Sequence, residues 1–128
     1  MARYNFDAKL PVIVIDVLIE NKNIKKKVKM ALDTGATYVL ISWDVAEALN
    51  LNPAFCEKRA DIITASGTER APLLTVDMIR FVDKATNNVN VLVHDLPPKS
   101  YVDGLLGLSF LRNFDLRINF REGYLELE

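Results

Sequence analysis

Apolar residues recur at every second position along much of this chain, and that period predicts strands rather than helices. Leu10 to Ile19 is rich in valine and isoleucine and reads as a strand. Asn21-Lys22-Asn23 is a turn signal. Ile24 to Leu32 then alternates, with Val28, Met30 and Leu32 on one side and Lys27, Lys29 and Ala31 on the other. The two segments predict a hairpin whose second arm is half-buried. Tyr38 to Ile41 is another short strand. Ser42 is placed to cap a helix, with Asp44 in the first turn near the positive end of the helix dipole. That helix runs from Trp43 to about Leu49, and Asn50-Leu51-Asn52-Pro53 ends it.

A second hairpin is predicted from Arg59 to Phe81. Ala60 to Ala65 is one arm, Ser66-Gly67-Thr68 the turn, and Arg70 to Phe81 the other arm. The tip is small and polar, with no side chain to anchor it in a core, so it should be mobile and near the surface. Pro72 suits an edge strand. Asp83 to Asn88 reads as a turn and Val89 to Leu96 as a strand stopped by Pro97-Pro98. A loop from Lys99 to Gly104 leads into Leu105-Leu106-Gly107, and Leu108 to Asn113 reads as a short helix. Phe114 to Phe120 alternates as a strand, Arg121-Glu122-Gly123 is a hairpin loop, and Tyr124 to Leu127 closes the pair. The order apolar strand, Gly-containing turn, short helix occurs around Asp33 to Leu49 and again around Leu105 to Asn113, which suggests an internal half-repeat. These elements predict an all-β fold, a small barrel-like domain with one or two short helices that spans residues 1–128.

Composition narrows the function classes. Half of the 128 residues are apolar and 26% are charged, ordinary globular usage. The formal net charge of -1 argues against nucleic acid as the main partner. The lysines between Lys22 and Lys29 read as a solvated strand face and turn that also discourages edge pairing. Cys56 is the sole cysteine, so no intrachain disulfide forms and a reducing compartment is the simpler reading. The start has no long apolar h-region, and the apolar runs fall far short of the roughly 20 residues that a spanning helix needs. The expectation is a cytoplasmic protein with no membrane partner. One histidine and one cysteine offer no set of metal ligands, and no cofactor is expected.

The chemistry concentrates at Asp33-Thr34-Gly35, an acidic residue between two apolar strands. A carboxylate in such a place is costly unless it is hydrogen-bonded or able to take up a proton. Peptide hydrolysis without a metal or a covalent nucleophile wants an acid and a base together. Two carboxyls a few ångströms apart supply both, because like charges so close cannot both ionise and the pair shares a proton. The chain holds one Asp-Thr-Gly and is too short for two lobes. A second Asp33 would therefore come from a second chain across a two-fold axis. Thr34 can hydrogen-bond across that axis, and Gly35 lets a backbone approach closely and offers an N–H. The bland reading of the same residues is an Asx-type turn between two strands.

The order Ala31-Leu32-Asp33-Thr34-Gly35-Ala36-Thr37, then Ser66-Gly67 in a hairpin, then Gly104-Leu105-Leu106-Gly107-Leu108-Ser109-Phe110-Leu111 resembles the retropepsin-type aspartic proteases, and their bacterial members most closely. The resemblance covers roughly residues 10–128. It implies that Asp33 is the catalytic aspartate of an endopeptidase active as a homodimer. It implies that Thr34 makes cross-dimer hydrogen bonds and that Gly35 and Ala36 complete the active-site loop. Thr37, Ala65, Ser66 and Gly67, with Leu105 and Leu106, would then meet an extended peptide or unfolded protein substrate, the middle three as the tip of a flap hairpin over about residues 60–75, and Leu105 and Leu106 would also brace the Asp33 loop. Viral members carry an acidic residue two after the Gly and an arginine one after the late Gly, and the two pair. Here those places hold Thr37 and Leu108, so both partners are lost together and no unpaired buried charge is left. Residues 114–128 form a hairpin whose part in a dimer is open. The alternative is a slow or inactive dimeric module of the same fold that binds peptides or directs assembly.

Other candidates are weaker. His94-Asp95 invites a triad reading with a serine or Cys56, but no nucleophile sits in a recognisable elbow, and a structural role is expected. Asp103 beside Gly104 reads as a turn residue. A phosphoryl-accepting role for Asp33 would want a second nearby acid for a magnesium ion, which Thr34-Gly35-Ala36-Thr37 does not offer.

Overall fold

The computed structural model describes residues 2–128. Two long hairpins carry the fold. The first joins β2 (Val14–Asn21) to β3 (Ile24–Leu32) in an antiparallel register that sets Ile15 opposite Met30 and Val17 opposite Val28. Alternation then sends Ile15, Val17, Ile19, Val28 and Met30 into the core and leaves Lys25, Lys27 and Lys29 of β3 in solvent. Lys29 meets Asp16 at 3.1 Å and Lys25 meets Glu20 at 3.9 Å, so the lysine run is a solvated face, as expected. The second hairpin joins β6 (Gly67–Phe81) to β7 (Lys84–Val93).

The hairpins are locked together by two short strands. β8 (Gly104–Leu106) runs parallel to the end of β3, and β4 (Val39–Ile41) runs parallel to the end of β7. β4 and β8 pair antiparallel with each other, as do β2 and β6. The order β2-β3-β8-β4-β7-β6 thus closes on itself as a six-stranded barrel, with β5 (Arg59–Thr64) added outside it on β6. A closed ring leaves no barrel edge to aggregate. The half-repeat is present in these pairings and is larger than the sequence suggested. Each half is a hairpin, a loop, a short strand and a short helix, and each lends its short strand to the other half. The helices are α1 (Trp43–Ala48), whose first turn is capped where Ser42 Oγ accepts from Val45 N at 3.2 Å, and α2 (Leu108–Leu111). Phe81, Phe110, Ile41 and Leu106 fill the interior.

A separate three-stranded sheet has the order β1 (Ala2–Asn5), β10 (Tyr124–Leu127), β9 (Leu116–Asn119). Tyr4 ties it to the barrel: its hydroxyl accepts from Asp16 N at 3.0 Å and its ring packs 5.2 Å from that of Phe81. β1 has no counterpart among the predicted elements. Its Arg3 lies over the Tyr124 ring at 3.7 Å, a stacking that needs the distant end of the chain.

Several boundaries differ from expectation: the strand expected to reach Leu96 ends at Val93, the turn expected at Ser66-Gly67-Thr68 is Ala65-Ser66, and three further differences have a clear cause or a larger extent. The first predicted strand starts at Val14 rather than Leu10, since Pro11 brings no N–H to a ladder. The predicted turn at Asp83 to Asn88 is almost wholly strand: the turn is Val82-Asp83, and β7 begins at Lys84. The asparagines that suggested a turn are held by the register with β6, Asn87 opposite Met78, while Asn88 takes a left-handed φ of 55° inside the strand. The strand predicted from Phe114 to Phe120 is confined to Leu116–Asn119.

Candidate active site

Strand order decides where Asp33 sits. β8 lies between β3 and β4, so the chain leaving β3 must cross the end of β8 before it can enter β4. Residues 33–38 make that crossing. Asp33 N donates to Leu106 O at 3.1 Å, which continues the β3–β8 ladder by one step into the loop. Ala36 N then donates to Asp33 O at 3.2 Å, and Gly35 N donates to Asp33 Oδ1 at 2.9 Å. The carboxylate is thereby oriented by its own turn. Asp33 is half-buried while Thr34 and Gly35 are exposed, so in a single chain the loop presents its acid to an open face.

The second motif holds the first from behind. Leu108 N donates to Ala36 O at 2.8 Å. A Cβ on Gly107 would lie 2.3 Å from Tyr38 O and 2.7 Å from Ala36 O, so only glycine permits the two loops to meet this closely. Ser109 completes the brace. Its Oγ accepts from Val39 N and donates to Asn90 O, both at 2.8 Å, and so ties the start of β4 to β7. Sequence reasoning missed Ser109. The available signal was a hydroxyl residue within Leu-Leu-Gly-Leu-Ser-Phe-Leu, one step into a helix that needed a polar partner for a neighbouring strand.

Beside Asp33 lies a groove of about 310 Å³. Its floor includes Leu40, Leu92 and Leu105, and Asp61, Ile62 and Ile63 of β5 form a wall. The β5–β6 hairpin turns at Ala65-Ser66, and Gly67 opens β6 with φ 126°, a conformation open to glycine. Thr64 Oγ1 donates to Gly67 O at 3.0 Å across the turn. Farther along, His94 Nε2 lies 3.1 Å from Glu69 Oε2 and His94 Nδ1 lies 2.7 Å from Asp95 O. Both partners are acceptors, so only a ring protonated on both nitrogens donates to both at once. His94 holds the place in the second half that Asp33 holds in the first: its N donates to Ile41 O at 3.0 Å, as Asp33 N does to Leu106 O.

The residues singled out in the sequence divide accordingly. Asp33, Gly35, Ala36, Thr37 and Leu105 line the groove together. Thr34 is exposed on the loop. Leu106 does not line the groove. It is fully buried, because neighbours on a strand face opposite sides, and it meets the Asp33 loop through its carbonyl. Ala65, Ser66 and Gly67 stand at the exposed hairpin tip, and the groove wall in this chain is Asp61 to Ile63, which the sequence did not single out. His94 pairs with Glu69 rather than with a nucleophile. Asp103 is a loop clasp: its N donates to Lys29 O at 2.8 Å and its O accepts from Ser42 N at 3.1 Å.

A closed barrel whose halves exchange short strands, with an Asp-Thr-Gly loop at the exchange and a hairpin beside it, defines the acid-protease class with one lobe per chain. A family model described as "gag-polyprotein putative aspartyl protease" matches residues 15–113, and the chain belongs to that family. It is similar in fold to a retropepsin-like aspartic protease from Rickettsia conorii, with a TM-score of 0.75 over 98% of this chain and 88% of that one, at 22% identity. It is also 28% identical over 92 residues to an uncharacterized protein in the cobV 5'region of Sinorhizobium sp, a match that takes in 71% of this chain. The matched region is 38% of that relative's length. Among the described residues, no helix is long and apolar enough to cross a membrane.

Proposed function

We propose that this protein is an aspartic endopeptidase that works as a homodimer, with Asp33 of each chain at one shared site. The observation that carries this reading is the intact Asp33-Thr34-Gly35 loop, braced by Gly107 and Ser109 at the mouth of an apolar groove. One carboxyl per chain is half of an acid–base pair. Two of them around one water share a single proton. The ionised member takes a proton from the water as it attacks a peptide carbonyl. The protonated member polarises that carbonyl, and a proton passes on to the leaving amine. Thr34, exposed on each loop, hydrogen-bonds across the two-fold to the partner loop in this reading. The β5–β6 hairpin acts as a flap, with Ala65, Ser66 and Gly67 at its tip, and the extended substrate adds main-chain hydrogen bonds like an extra strand.

The test is digestion of an unfolded protein at pH values from about 3 to about 7, since a pair that needs one acid and one base works only where it holds a single proton. Wild type should cleave and Asp33→Asn should not. Equal cleavage by both would remove Asp33 from the chemistry. Absence of cleavage by either, with peptide binding retained, would favour the dimeric binding module.

A further inference from the structure

The groove wall carries one charged side chain that peptide hydrolysis does not use. Asp61 is exposed on β5 between the half-buried Ala60 and Ile62, and with Asp33 it supplies the only charge among the residues that line the groove; no lysine or arginine lines it. Resting on the reading of this groove as a peptide site, we propose that Asp61 selects substrates with a lysine or arginine close to the scissile bond.

Three observations converge on this. First, the floor is leucine, from Leu40, Leu92 and Leu105, while the wall ends in a carboxylate. A long basic side chain fits that gradient, because its methylene stem lies on apolar surface while its head reaches an anion. A substrate glutamate would meet Asp61 and Asp33, both acids. Second, Asp61 is only loosely engaged within the chain. Its partner is Arg70, directly opposite in the hairpin, with Nε 3.7 Å from Oδ1 and both side chains about two thirds exposed, at 69% and 68%. A single exposed pair of that length is weak and readily exchanged for a substrate cation. Third, the neighbouring acid on β6, Glu69, does not line the groove and lies 3.1 Å from His94 Nε2. Thr37 and Tyr38 add no charge to the loop side of the groove.

The test uses matched unstructured peptides that differ only in carrying lysine, leucine or glutamate within two residues of the cleaved bond. Wild type should favour lysine over glutamate in kcat/KM by about ten-fold, the combined size of one attraction and one repulsion at an exposed carboxylate. Asp61→Asn should bring that ratio towards unity, and Asp61→Lys should invert it. Arg70→Ala, which frees Asp61, should raise it, a gain that a damaged hairpin would not produce. The same peptides should be titrated by fluorescence anisotropy against Asp33→Asn protein, with and without Asp61→Asn. Cleavage that depends on Asp33 but shows a ratio unmoved by Asp61 and Arg70 variants would overturn the selectivity and leave the protease reading standing. An Asp61-dependent binding preference without any turnover would do the reverse. Peptide that neither binds nor is cut would overturn both.

Discussion

At the scale of single residues, the loop that bears Asp33 is held less by its own sequence than by what presses on it from behind. Gly107 is there because no other residue leaves room for Tyr38 O and Ala36 O. Gly107→Ala should therefore cost about 3 kcal/mol of global stability, since the obstructing atoms are backbone and cannot swing away. A denaturant midpoint equal to that of wild type would show that the two loops part freely. Ser109 satisfies the Val39 N–H and the Asn90 carbonyl with one hydroxyl. Ser109→Ala strands both and should cost about 1–3 kcal/mol at unchanged m-value. Asp33 itself was legible, because an acid between two apolar strands is expensive and demands an explanation. Ser109 was not, because its worth lies in two partners that are close only in space. Leu106 was expected to line the pocket as well as to brace the Asp33 loop; its carbonyl does meet Asp33 N, but only the register shows that its side chain faces the core.

At the scale of elements, the β5–β6 hairpin extends beyond the barrel, since residues 67–72 of β6 pair with β5 alone while residues 73–81 pair with β7, and that difference makes the energetics of the two parts distinct. Gly67 has a φ of 126°, yet a Cβ there would meet nothing within 4 Å. Gly67→Ala should strain only the hairpin, by about 1–2 kcal/mol. Amide exchange should rise across residues 59–72 while global unfolding barely moves, the opposite of the pattern expected for Gly107→Ala. A matching loss of global stability would mean that the hairpin unfolds with the core. His94 to Glu69 is the link that crosses from the end of β7 to the hairpin. With 33% and 54% of these side chains exposed, it is a weak tie, and His94→Ala should speed hairpin exchange by no more than about five-fold. The hairpins, the α1 cap and the short helices were readable from period and capping signals. The β7 start and β1 were not, because asparagines in a paired strand look like a turn until the partner strand is known, and β1 depends on contacts with β10.

At the scale of the whole molecule, the internal symmetry bears on why the protein should need a second copy. Within one chain the two halves exchange strands about an approximate two-fold, but the equivalent of Asp33 in the second half is His94, turned to Glu69. The chain cannot supply a second acid from its own repeat. If the acid pair is to form, a two-fold between chains must form it, and each active dimer then needs two intact Asp33 side chains. That requirement gives a test that needs no knowledge of the natural substrate. Wild type is mixed with an equal amount of Asp33→Asn at a concentration where dimers predominate, and subunits are left to exchange. Random pairing puts half of the wild-type chains into mixed dimers, so proteolysis should fall to about half that of the same wild-type amount alone. Further excess of the variant should suppress it further. Diluting wild type below its dissociation constant should lower activity per chain, with light scattering recording the monomer over the same range. Activity indifferent to both the variant and dilution would mean that a single Asp33 suffices, and the shared-proton mechanism would fall with it.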